Sequence, residues 1–179
     1  MKSLIKYLNE KLIINQRFDE KLIINKNYKS PYTCAPISWD ELRKIIDDRY
    51  KKLGPGTKQN PIDFSDVDVS NIDSFYNDNT DKGIFDSTKF KYIDISYWNV
   101  SNIKNMSYMF YDCKRLETVG DLSKWNVSNV ENMRCMFFDC KQLKSGGDLS
   151  NWDGSKVKNV NCMFGGCTEK IIPYWYYKL

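Results

Sequence analysis

A period of 27 residues runs through the second half of this sequence and limits what the chain can fold into. In register, DISYWNVSNIKNMSYMFYDCKRL begins at Asp94, DLSKWNVSNVENMRCMFFDCKQL at Asp121 and DLSNWDGSKVKNVNCMFGGCTEK at Asp148. Trp98, Trp125 and Trp152 fall 27 apart, and so do Met109, Met136 and Met163, the adjacent Phe110, Phe137 and Phe164, and Cys113, Cys140 and Cys167. A unit this short cannot bury Trp, Met and Phe by itself, so successive copies must stack and share an apolar ladder. These twelve residues are the expected core of the repeat. A degenerate copy lies upstream, where residues 68–72 match residues 99–103 at a spacing of 31. There Val67 fills the Trp slot, Phe75 stands in for Met106, and residues 76–83 read as a polar surface loop.

Within one copy, residues 121–125 alternate as a short strand would, and residues 126–129 carry turn chemistry. Val130, Met133, Met136, Phe137 and Cys140 then recur at steps of three to four, as on one face of a short helix. Ser128 stands three before Glu131, the pattern of a capping box. Each copy therefore reads as a strand, a turn and one or two helical turns. The string Trp125-Asn-Val-Ser-Asn-Val130, with Asn132, Met133, Met136, Phe137 and Cys140, resembles the BspA-type repeat of bacterial surface proteins and mycoplasma lipoproteins, a leucine-rich-repeat relative of roughly 25 residues. The resemblance covers residues 64–168. It implies a noncatalytic right-handed solenoid used for adhesion or protein interaction. The expected fold is an α/β repeat, a short leucine-rich-repeat-like solenoid of about four coils with an N-terminal capping helix.

The sequence contains no histidine, which removes imidazole bases, Ser-His-Asp and Cys-His nucleophile systems and every zinc site that needs a His ligand. No enzyme is expected. Cys135 and Cys140, with Cys162 and Cys167 one period later, make two C-x4-C pairs that stacking would bring together, so zinc or disulfides are conceivable. Packing explains Cys113, Cys140 and Cys167 more simply, because they share one repeat column. No cofactor or metal is expected. Asp112, Asp121, Asp139 and Asp148 also repeat, but without a clustered calcium loop they read as turn and cap residues. The repeated Asn, Asp and Lys positions instead make an extended surface for a protein partner.

The net charge of +4 is uneven, since residues 1–60 carry 13 Lys/Arg against 7 Asp/Glu and the remainder 14 against 16. So mild a bias reads as a solvated face, and no nucleic-acid partner is expected. No stretch approaches the ~18 apolar residues of a membrane span. Residues 1–37 read as a basic amphipathic leader, with Leu4, Ile5, Leu8 and Leu12 at helical spacing and the hexapeptide EKLIIN at residues 10–15 and 20–25. That echo is either an arm that docks or a plain duplication. Lacking a secretory h-region, the chain is expected in the cytoplasm or in a virion rather than at a cell surface. The leader also resembles the capsid-targeting peptides of internal head proteins of large tailed phages, which would make Glu10 a processing site and the chain a virion-packaged protein. Residues 38–60 hold the clearest local signal: Ser38-Trp39-Asp40-Glu41 opens a helix over 39–53, and Gly54-Pro55-Gly56 stops it. Residues 61–170 form the repeat body. Residues 171–179 read as a C-terminal aromatic cap, with a recognition patch as the alternative.

Overall fold

The computed structural model describes residues 34–178, with Lys178 as backbone only, and these belong to the second of two units, Tyr32–Leu179. The first unit, Met1–Pro31, lies outside the described residues, and with it Glu10, the amphipathic leader and the EKLIIN echo.

Helix α1 spans Trp39–Leu53 because its ends are capped and one face is apolar. Ser38 accepts the Glu41 N–H, Asp40 and Glu41 occupy the first turn, and Lys51 and Lys52 the last, each sign facing the helix pole that favours it. Gly54, at φ +73°, returns its N–H to the Tyr50 carbonyl and ends the helix. Leu42 and Ile46 are buried, Tyr50 meets Phe90 edge-on at 5.1 Å, and Arg49 lies over the Phe64 ring at 4.7 Å while pairing with Asp66.

The strands are two-residue pieces. β1 (Ile62–Asp63) pairs in parallel with β4 (Ile93–Asp94), and β2 (Tyr76–Asn77) pairs antiparallel with β3 (Lys82–Gly83). The segment read as a surface loop is therefore a hairpin, whose turn Asn77 braces by accepting the Asn79 and Thr80 N–H groups. Single parallel bridges join successive copies along two lines: Ser74 to Asn105 to Asn132 to Asn159, and Tyr92 to Thr118 to Ser145. Three short 3-10 segments, Leu149–Asn151, Glu169–Ile171 and Tyr174–Lys178, complete the described chain.

This corrects the expected α/β leucine-rich-repeat-like solenoid. Among the described residues α1 is the one α-helix, the sheets have two strands each, and no copy carries the strand-plus-helix unit such a coil requires. The cause is local backbone geometry. Tyr108 and Asp112, Cys135 and Asp139, and Cys162 all lie at φ between +52° and +60°, with Gly166 at +77°, so no copy can run on as a right-handed helix. Asp and Gly tolerate that region better than most residues, which suits the 112/139/166 column. The three-to-four spacing of Met133, Met136, Phe137 and Cys140 comes from consecutive tight turns, where Met136 N–H bonds Met133 O and Cys140 N–H bonds Phe137 O. The Ser128 signal resolves likewise: Asn126 accepts the Ser128 N–H in an Asx turn, and no helix follows.

Between the turns the backbone reaches sideways. Met106, Tyr108, Phe110 and Asp112 donate their N–H groups to the carbonyls of Asn132, Arg134, Met136 and Phe138 at 2.8–2.9 Å. One copy later Met133, Cys135, Phe137 and Asp139 donate to Asn159, Asn161, Met163 and Gly165 at 2.7–3.0 Å. From Met106 to Asp112 and from Met133 to Asp139 these inter-copy N–H groups point toward the C-terminal copy, whereas just before them Glu131 and Lys158 donate back to Lys104 O and Glu131 O.

Candidate interaction surface

The twelve repeat-defining residues do not lie on a recognition surface. All except the half-buried Cys167 are buried. Phe110 stacks on Phe85 at 5.3 Å, Phe137 on Phe110 at 5.2 Å and Phe164 on Phe137 at 5.4 Å, with ring planes within 16° of parallel. Tyr176 closes the column edge-on against Phe164 at 5.2 Å. The indoles run alongside, Trp125 parallel to Trp152 at 6.2 Å. Trp98 Nε1 donates to Phe64 O at 3.0 Å, Trp152 Nε1 to Leu122 O at 2.9 Å, and Trp175 Nε1 to Leu149 O at 2.7 Å.

Trp125 is the exception, since its Nε1 is buried without an acceptor. Trp152→Phe should therefore lower the unfolding free energy by about 1 kcal/mol more than Trp125→Phe, the net worth of one hydrogen bond. Urea titration of the two variants checks this, and equal losses would show that Trp125 Nε1 is bonded in solution.

The cysteine column is also bonded inward. Cys113, Cys140 and Cys167 donate their thiols to the carbonyls of Phe85, Phe110 and Phe137 at 2.9–3.0 Å. A small side chain with a weak donor is what this slot between two turns accommodates. The neighbouring Cys113 thiol and burial push Cys140 far above the ordinary thiol range, and burial pushes Cys167 to about 11. Thiols held protonated are poor nucleophiles and poor ligands. Cys135, in the extra column, is buried and raised by burial, whereas Cys162 is exposed. Among the described residues no group of three or more His, Cys, Asp or Glu could hold a metal ion. Asp121 and Asp148 accept the N–H groups of Ser123 and Ser150, while Asp112 and Asp139 pair with Lys114 and Lys141.

The repeated Asn, Asp and Lys positions were expected to face outward, but an aromatic row that runs with them was missed in the sequence. Tyr76 stacks on Tyr108 at 5.6 Å, Tyr108 leans on Tyr111 at 5.3 Å, and Tyr111 stacks on Phe138 at 5.3 Å. Arg134 lies over the Tyr108 ring at 5.6 Å. All four rings are only partly covered, so they form a continuous row along the wall of turns. Two columns of alternating charge run across the copies: Lys91, Glu117, Lys144 and Lys104, Glu131, Lys158. Lys91 and Lys144 both bond Glu117, and Lys158 bonds Glu131 at 2.6 Å. Tyr111 with Phe138 and Lys104 with Glu131 stand one period apart, so register alone could have revealed both.

Hydrogen bonds from Lys144 and Lys91 hold the Glu117 carboxyl down to about 2 from an ordinary 4.5. Its contribution to stability is then complete above pH 4.5 and lost as the pH falls through the folded value. The wild-type urea midpoint should accordingly drop more steeply between these limits than that of Glu117→Gln. Parallel pH profiles would show that the pair of lysines adds nothing in solution.

The C-terminal segment buries Ile171 and Pro173 and leaves Tyr174 and Tyr177 exposed. No described helix is long and apolar enough to cross a membrane. A family model described as "Mycoplasma protein of unknown function, DUF285" matches residues 58–174. No curated protein and no solved structure matches the chain.

Proposed function

The chain belongs to this Mycoplasma family, and from that premise we propose that it is a noncatalytic repeat protein that binds a protein partner through the outer wall of its copies. One observation carries the reading: the partly exposed row Tyr76, Tyr108, Tyr111 and Phe138, with Arg134 over Tyr108. Tyr, Phe and Arg are the residues most enriched where proteins meet, because they offer large rigid area at little cost in side-chain entropy. The repeat supplies the rigidity, since the backbones of Tyr108, Tyr111 and Phe138 are bonded to neighbouring copies and Tyr76 is paired with Gly83 in the hairpin. The absence of histidine and the repetition of Asp, Ser and Asn at 94/121/148, 96/123/150, 101/128/155 and 105/132/159 support a binding role over a reaction centre, which needs residues that break the repeat.

The test places a photo-crosslinking phenylalanine at Tyr111, and separately at the exposed Tyr97 as a control position, and exposes each protein to lysate of the source cells. A single adduct is expected from position 111, competed by unlabelled chain and not competed by the chain carrying Tyr108→Ala and Arg134→Ala. Adducts that the double variant competes equally well would overturn the assignment.

A further inference from the structure

The wall of turns ends in an unsatisfied rung. Continuing the spacing of the two preceding copies, the N–H groups of Val160, Cys162, Phe164 and Gly166 are the next donors. None of them has an acceptor among the described residues. The carbonyls that alternate with them are already used: those of Asn159, Asn161, Met163 and Gly165 accept from the preceding copy, and those of Val160, Cys162 and Phe164 accept from Met163, Gly165 and Cys167 within their own turns. Between Val160 and Gly165 this edge therefore offers donors only, while beside it the Lys158 carbonyl, next in line after Lys104 O and Glu131 O, remains an acceptor. The tail covers the core beside it through Tyr176 on Phe164 and Trp175 on Leu149 O, but it brings no acceptor to the rung. Asn161, Cys162 and Gly166 are exposed.

The opposite end shows how this backbone polarity is met. There the outermost carbonyls of the wall, Ile84 O and Asp86 O, accept from Arg43 Nη1 of α1 at 3.1 and 3.4 Å. A donor-bearing helix closes the acceptor end, and a row of unpaired backbone groups on an edge is a template for pairing with another chain. We propose that the rung of residues 160–166 docks an extended acidic segment of a second protein. Carbonyl and carboxylate oxygens of that segment would accept the four N–H groups. The proposal rests on the protein-binding reading above and names the chemistry of the partner.

Two observations select this occupant. A second copy of the chain cannot satisfy these four donors through the same edge, because N–H would face N–H, and its acceptor end is taken by Arg43. Charge points the same way. The column Lys104, Glu131, Lys158 alternates and stops at a lysine whose side chain is 77% exposed, so the next member in the series is acidic. Lys156 stands beside it, exposed and bonded to Asn129.

The experiment uses the full chain labelled with 15N. In the free protein the amides of Val160, Cys162, Phe164 and Gly166 should exchange with solvent on the order of 100-fold faster than those of Met133, Cys135, Phe137 and Asp139, their bonded equivalents. A blocked decapeptide of alternating aspartate and valine should then shift the same four amides in a saturable way. Lys158→Gln should weaken that binding several-fold, with the spectrum of the folded chain otherwise kept. Protection of the four amides in the free protein would overturn the proposal. So would a valine-lysine decapeptide or a ten-residue oligothymidylate that shifts them as strongly, or an aspartate peptide that shifts none of them. Cross-linking at Tyr111 reads a different part of the wall, so the general binding function can survive the loss of this one, and the reverse pattern would be equally visible.

Discussion

Replacing Phe137 with alanine is expected to lower the unfolding free energy by about 3–5 kcal/mol, more than truncation at the end of the ring column. Phe137 is buried between two near-parallel neighbours, Phe110 at 5.2 Å and Phe164 at 5.4 Å. Truncation removes the transfer energy of one ring, opens a cavity, and abolishes two ring pairs at once, each worth about 0.5–1.5 kcal/mol beyond area. The neighbours cannot collapse into the gap, because their backbones are held apart by the inter-copy bonds Phe110 N–H to Met136 O and Phe137 N–H to Met163 O. Phe164→Ala should cost less, since Phe164 has a parallel partner on one side only and the C-terminal Tyr176 can settle toward the hole. Urea unfolding of both variants tests the ranking. A loss at Phe137 no greater than at Phe164 would mean that the column does not behave as one continuous core.

The register of the copies was legible because stacking forces like residues into like places: Trp98, Trp125 and Trp152 all fill buried slots of the same kind, and a 27-residue spacing is the trace that leaves. Helix α1 was legible through its caps, Ser38 and Gly54, which act within a few residues. The conformation between Val130 and Cys140 was not. A helix and a run of tight turns both bring apolar side chains round every three or four residues, and they differ in where the N–H groups go. At Cys135 and Asp139 the chain turns left-handed and the N–H bonds cross to Asn161 and Gly165, partners 26 residues away that no local pattern encodes. For the same reason the donor-only rung at residues 160–166 was invisible, since backbone polarity leaves no mark on side-chain sequence. The outer ring row left a signal, the aromatic pair at 111 and 138, but it is weaker than the Trp, Met-Phe and Cys columns, which are buried except at the half-buried Cys167.

Gly83→Ala should be among the most disruptive single changes that add only one carbon, costing about 3 kcal/mol. A Cβ there would sit 1.9 Å from Tyr108 O and 2.7 Å from Met109 N, both backbone atoms of the next copy. Side chains can swing aside, but this backbone cannot: Tyr108 N–H is bonded to Arg134 O, and Met109 O accepts the Phe85 N–H. The strain would spread to the Tyr76–Gly83 pairing of the hairpin and to the Tyr76–Tyr108 stack at 5.6 Å, so the outer ring row should lose order together with stability. Gly54→Ala separates space from backbone preference. Gly54 has φ +73° and nothing within 4 Å of its would-be Cβ, so the substitution meets only the left-handed penalty, about 1 kcal/mol. If both variants unfold at the same urea midpoint, the close approach of Gly83 to Tyr108 does not exist in solution. If Gly83→Ala alone collapses, the hairpin is the element that locks the first copy onto the second.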